Sequence, residues 1–173
     1  AKHADASVIT VLDVDRHHVV HWERILQTDY TIQLARVAAL SKSYGGALVL
    51  MDSTGVGDPL LEQLHAREVP AEGYTFTSQT KQQLVEHLAV AVERADVTWP
   101  ASLVLLRNEL EMFQYELTRA GNVRYSAPEG QHDDAVISLG LAVWAARHLM
   151  AGAPLAMNLR STPVERVDWS QAL

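Results

Sequence analysis

Two acids stand side by side in Gln131-His132-Asp133-Asp134, directly ahead of the apolar run Ala135-Val-Ile-Ser-Leu-Gly-Leu-Ala-Val-Trp-Ala-Ala. The run reads as a long helix and the acids as its opening. A carboxylate at that place gains roughly 0.3–1 kcal/mol from the exposed amides and the helix dipole, which accounts for one acid as a cap. A further acid, Asp52, ends the run Ala47-Leu-Val-Leu-Met51, the pattern of a strand buried on both faces. In open α/β sheets ligands bind beyond the carboxyl ends of strands. A carboxylate buried there is costly unless it is paired or bound to a metal. Two acidic sites of this kind in one small domain are what a divalent-metal nuclease needs. The competing use of Asp52 is to accept hydrogen bonds from the loop amides of Gly55 to Gly57.

Successive helical residues lie about 100° apart, so Asp133 and Asp134 cannot face the same way. Asp134 shares a face with Ile137, Ser138 and Leu141, the face expected against a sheet. Asp134 is therefore the inward ligand, and Asp133 a secondary ligand or an outward cap. Asp5, taken alone, reads as a loop acid. Ligation by oxygen only favours Mg²⁺ or Mn²⁺ over zinc. The chain has no Cys, which excludes disulfides and thiolate zinc sites. Ser53-Thr-Gly-Val-Gly57 lacks the GKS/GKT ending of an ATP-binding loop and reads as a tight strand-to-helix turn.

Three basic residues are candidate DNA contacts. With Gly121-Asn122 as a two-residue hairpin turn, Arg119 faces Arg124 on one side of the hairpin, and like charges so opposed repel unless an anion lies between them. Lys81 opens a helix, where its charge opposes the dipole; it either points at a phosphate or is simply exposed. His17, His18 and His21 read as surface residues.

The elements that must hold these groups follow from patterning. Residues 6–13 and 18–26 read as an antiparallel hairpin. A helix is expected over 30–43, capped by Thr28 or Asp29 and ended by Gly45-Gly46. The strand 47–51 follows, then a short helix from Leu60 to Arg67, a strand from Gly73 to Thr77, and a helix from Gln79 to about Arg94 capped by Ser78. Next come a helix from Pro100 to about Tyr115, the hairpin 116–126, and the last long helix, 132–150. This alternation predicts an α/β domain with a mixed sheet flanked by helices and an accessory β-hairpin. The chain of 173 residues is long enough for one cored domain, taken as 1–150, with 151–173 as a linker or docking tail. No membrane span is expected, since no run of about 18 apolar residues is read. The net charge of −7 argues against coating nucleic acid by bulk charge, though not against a nuclease, whose acids await a cation.

Three stretches in order, Leu50-Met-Asp-Ser-Thr-Gly-Val-Gly-Asp-Pro59, Phe76-Thr-Ser-Gln-Thr-Lys81 and Gln131-His-Asp-Asp-Ala-Val-Ile-Ser138, resemble the C-terminal nuclease domain of tailed-bacteriophage terminase large subunits, over about residues 1–150. The resemblance implies a ribonuclease H-like fold and Mg²⁺- or Mn²⁺-dependent cutting of concatemeric viral DNA during genome packaging. It implies metal ligation by Asp52 and Asp134, with Asp133 beside them. Asp5 falls on an additional acid in a pattern like Asp-x-Ala-Lys-x-x-Asp, of which Ala1-Lys2-His3-Ala4-Asp5 is the later part. A first strand ending in Asp is therefore expected ahead of Ala1. The implied partners are double-stranded viral DNA, the terminase ATPase domain, the portal and the small terminase subunit. The implied location is the host bacterial cytoplasm, at the assembling procapsid. The rival readings are a resolvase or transposase core of the same fold, a non-catalytic docking module of the packaging motor, and an actin-like ATPase, for which only one phosphate loop is present.

Overall fold

The computed structural model describes all residues except 1–5, 27, 28, 56, 118–122, 127–132 and 153–173, and only the backbone of 6, 57, 58, 114–117 and 123–126. The tail expected from 151 onward thus lies almost wholly outside the described residues.

The expected opening hairpin forms from β1 (Ala6–Asp13) and β2 (His18–Leu26), with a bulge between Val11 and Leu12. Its turn is tied by the Arg16 amide, which donates to Asp13 at 3.0 Å. The same end is clamped by Thr98, whose carbonyl accepts from the Val19 amide at 2.9 Å. Helix α1 (Tyr30–Ser43) is capped by Asp29, which accepts from the Thr31 amide at 2.7 Å. Arg36 of α1 grips Glu23 of β2 with Nε and Nη2, both at 2.9 Å, and holds its carboxyl below the usual carboxylate range.

β3 (Val49–Asp52), α2 (Gly57–His65) and β4 (Ala71–Tyr74) make a parallel pair joined by a helical crossover, as parallel strands require. β4 thus comes two residues earlier than its sequence suggests. Residues 75–77 serve instead to start α3 (Ser78–Glu93), whose cap is Thr77 and not Ser78. Thr77 and Thr80 bond reciprocally, side chain to amide, at 3.1 and 2.7 Å. This is a capping box with Thr in the place usually held by Glu or Gln.

The helix expected from Pro100 is α4 (Val104–Met112), and the strand after it begins at Gln114, inside the stretch assigned to that helix. β5 (Gln114–Leu117) and β6 (Val123–Ser126) pair antiparallel, with Tyr115 opposite Tyr125, Leu117 opposite Val123 and Glu116 opposite Arg124. This register differs from the one a two-residue turn at Gly121-Asn122 implies, and those two residues lie outside the described residues. Residues 118–122 connect the strands, a register that aligns apolar positions with apolar ones.

α5 (Asp134–Ala151) organises the rest. Among the described residues it is a helix long and apolar enough to cross a membrane by length and composition, contrary to the expectation from sequence. Here that apolarity serves packing. Ala135, Val136, Leu139 and Val143 are buried in one core with Val85 and Leu88 of α3 and Leu106 and Leu110 of α4. On the other side Ser138 donates to the Val8 carbonyl of β1 at 3.1 Å. Gly140 permits close approach to α3: a Cβ there would stand 3.1 Å from Leu84.

The described strands form three separate pairs, β1–β2, β3–β4 and β5–β6. Between β1 and β3 lies a cleft of about 1120 Å³, floored by α5. Consecutive residues 7–14, in and just after β1, and 47–52 around β3 line it, so both strands turn an edge toward it.

Two tests follow from this packing. Gly73 of β4 lies under the Asp52 loop, and a Cβ there would come within 2.7 Å of Ser53 Cβ and 2.9 Å of Leu61. Gly73→Ala should lower stability by about 1–3 kcal/mol in urea unfolding, as overpacking does. The second test concerns His87, between α3 and α5, edge-on to Trp144 with ring centroids 5.6 Å apart. Its Nδ1 lies 2.9 Å from the Arg147 guanidinium, which only donates, so the ring is neutral with its proton on Nε2. Burial, then the charges of Arg147 and His148, push its pKa down to about 4. The unfolded chain binds that proton near pH 6.5. This group's share of stability is therefore intact above about pH 6.5 and is lost progressively as pH falls toward 4. Between pH 6.5 and 5 the stability of His87→Gln should fall less steeply than that of the unmodified protein.

Candidate metal centre

Asp52 stands where the sequence puts it, at the carboxyl end of a strand, and it is exposed. One oxygen, Oδ1, accepts from the Thr54 amide at 2.7 Å, so the loop orients the carboxylate through Thr54. Thr54 in turn accepts from the Phe76 amide at 2.9 Å, tying the loop to the start of α3.

Asp134 begins α5, and Ser138, one turn on, contacts β1, which is the inward phase expected from sequence. Asp133 holds the N-cap position but makes no capping bond; its Oδ2 takes the Lys81 ammonium at 2.8 Å. That pair explains a lysine in the first turn of α3, where its charge alone opposes the dipole. Arg24 of β2 approaches Asp134, Nη2 to Oδ2, at 3.9 Å. The cleft is lined by Asp52, Asp133, Asp134 and Lys81 together. It thus joins acids from a strand end and a helix start, with Lys81 and Arg16 also in its lining and no histidine among the described lining residues.

The donor chemistry fits a hard divalent cation, since the lining offers carboxylate oxygen and neither thiolate nor imidazole. Among the described residues, however, no group of three or more His, Asp or Glu is gathered tightly enough to hold an ion by itself. Asp5 lies outside the described residues, as does Arg119. The opposition of Arg119 to Arg124 is corrected by the hairpin register, which places Glu116 across from Arg124.

Two residues near the acids escaped the sequence reading. Arg24 shares its strand parity with the inward Trp22, and its Nε is buried without a hydrogen-bond partner in the described structure. Glu109 lies on the buried face of α4 beside Leu106 and Leu110 and accepts from the Ala135 amide at 2.8 Å. A charged residue in phase with apolar neighbours was the available signal in both cases.

No protein-family model matches the chain. It is 39% identical over 145 residues to the terminase large subunit of Thermus virus P23-45, a match that takes in 82% of this chain and 29% of that protein. The chain thus spans under a third of that relative's length. The crystal structure of the large terminase nuclease from thermophilic phage G20c with bound magnesium superposes with a TM-score of 0.75 at 37% identity, covering 83% of this chain and 76% of that one. The cobalt-bound form of that nuclease gives 0.76 at 36% identity, with the same coverage. The fold is the ribonuclease H-like α/β fold of those nucleases. With that identity over three-quarters of a solved nuclease domain, the chain belongs to the large terminase nuclease family.

Proposed function

We propose that this domain is a divalent-metal-dependent endodeoxyribonuclease that cuts concatemeric viral DNA during genome packaging. The observation that carries the proposal is the meeting of Asp52 and Asp134, from distant parts of the sequence, on one cleft. The magnesium-bound state of the similar G20c nuclease supports it. Asp52 and Asp134 would hold Mg²⁺ or Mn²⁺, with Asp133 and Asp5 in support. A divalent cation, when bound, supplies positive charge for the phosphoryl oxygens and makes the attacking water more acidic.

The chain's own residues do the rest. The Thr54 amide fixes the Asp52 carboxylate, and the α5–β1 contact through Ser138 fixes the height of Asp134 over the sheet. Lys81, held by Asp133 at the cleft wall, would meet a DNA phosphate in this reading. Arg119 and Arg124, on the β5–β6 hairpin and its connection, are further phosphate contacts in this reading. The cleft also suits a β-strand drawn from outside the described residues, since β1 and β3 each offer it an edge. Such a strand, ending in an acid, would complete the donor set. Within a packaging motor the domain would work beside an ATPase domain, the portal and a small terminase subunit, in the host bacterial cytoplasm at the assembling procapsid. The resemblance in sequence supports these last assignments.

The test is plasmid cleavage by the full-length subunit. Cutting should require Mn²⁺ or Mg²⁺, stop in EDTA and show little sequence preference. Asp52→Ala and Asp134→Ala should abolish it with the fold intact by circular dichroism, and Asp133→Ala should reduce it less. Full activity in Asp134→Ala contradicts the assignment. A separate expectation concerns DNA. Replacing Arg119 and Arg124 together with Ala should weaken binding evenly across sequences while metal binding stays. The salt dependence should become shallower by roughly 0.9 per lost phosphate contact. Unchanged binding and unchanged salt dependence would take the hairpin out of the DNA interface.

A further inference from the structure

The helix that carries both acids is not capped by the acid at its N-cap. Asp133 occupies the N-cap of α5 without a capping bond, and its carboxylate goes to Lys81. The amide of Ala135, immediately after Asp134, is satisfied instead by Oε2 of Glu109, 2.8 Å away. Glu109 comes from α4 and is only 7% exposed, between the fully buried Leu106 and Leu110. A carboxylate that deep is costly unless a hydrogen bond or an opposite charge compensates it. The amino end of α5 supplies both, through its free amides and its positive dipole end.

We propose that Glu109 is a positioning residue for the metal site. By capping α5 from another helix, it releases the Asp133 carboxylate to Lys81 at the cleft wall and fixes the turn on which both acids stand. An N-cap Asp ordinarily folds its side chain back onto the amides of the first turn. Were Asp133 to do so here, its carboxylate would leave Lys81 and the cleft wall. Glu109 takes over that task at the residue next to Asp134, so the backbone that aims Asp134 is tied to the rigid α4–α5 core. The inference rests on the reading of Asp134 as a cation ligand.

The experiment uses the full-length subunit with Glu109→Ala, Glu109→Gln and Glu109→Asp. Three quantities are read: Mn²⁺ affinity by calorimetry, kcat and KM for plasmid cleavage, and hydrogen exchange across residues 133–139. Glu109→Ala should weaken Mn²⁺ binding by about tenfold or more, the loss typical when a group supporting a metal ligand goes. Its kcat should fall in step, with KM for DNA unchanged and faster exchange in the first turn of α5. Glu109→Gln keeps an acceptor oxygen at the same reach and should stay close to the unmodified protein in all three. Glu109→Asp withdraws the oxygen by one methylene and should behave like Glu109→Ala; it decides the matter if the Ala variant does not fold. A folded Ala or Asp variant with unmodified Mn²⁺ affinity and exchange overturns the proposal. So does a Gln variant as impaired as Ala, since the charge and not the cap would then matter. Failure of the unmodified protein to bind Mn²⁺ would instead overturn the cation reading of Asp134, and with it the metal role given to Glu109.

Discussion

The structure depends on one constraint: the amino end of α5 must be fixed in space without spending the acids it carries. A helix start exposes amides that need acceptors, and the nearest acceptors are those acids themselves. Here a buried glutamate from α4 meets the Ala135 amide, a lysine from α3 holds Asp133, and Ser138 ties the next turn to β1. Three elements thus hold one end of one helix. The apolar body of α5, packed on α3 and α4, keeps that end against the sheet side of the molecule.

The same constraint governs the charge. The chain carries a net charge of −7, and Asp52, Asp133 and Asp134 converge on one cleft. Neighbouring carboxylates repel, and burying them together raises the cost. Lys81 at 2.8 Å from Asp133 and Arg24 at 3.9 Å from Asp134 moderate that repulsion. Both pairs are partly exposed, so each contributes modestly to stability. Their larger effect is on direction, since each carboxylate is held to one side of the helix start. Asp52 is held differently, by a backbone amide across a two-residue turn, which leaves it exposed at the cleft.

Much of this was legible in the sequence. The hairpin 6–26, the buried-type run ending in Asp52, and the inward phase of Asp134 with Ser138 are local patterns of period 2 or 3.6, and they survive folding intact. What was not legible depended on distant partners. The cap of α3 moved from Ser78 to Thr77 because Thr80, not an acid, closes the capping box. The α4 helix ended early because residues 114–117 found a strand partner in 123–126, and that register set Arg124 against Glu116 rather than Arg119. Glu109 and Arg24 were passed over because each looked like an ordinary charged residue until α5 was placed above it. A cap supplied from another helix leaves no mark at the sequence positions it caps.

The central claim is that Asp52 and Asp134 share a divalent cation. Anomalous diffraction at the manganese edge, on crystals of the full-length subunit soaked in Mn²⁺ near neutral pH, tests it most directly. The account predicts a peak in the cleft within about 2.0–2.6 Å of an oxygen from each carboxylate, the range of hard-cation ligation. A Mn²⁺ peak bound by Asp133 and Lys81's neighbours alone, or by surface acids away from the cleft, with Asp52 and Asp134 still apart, would contradict it.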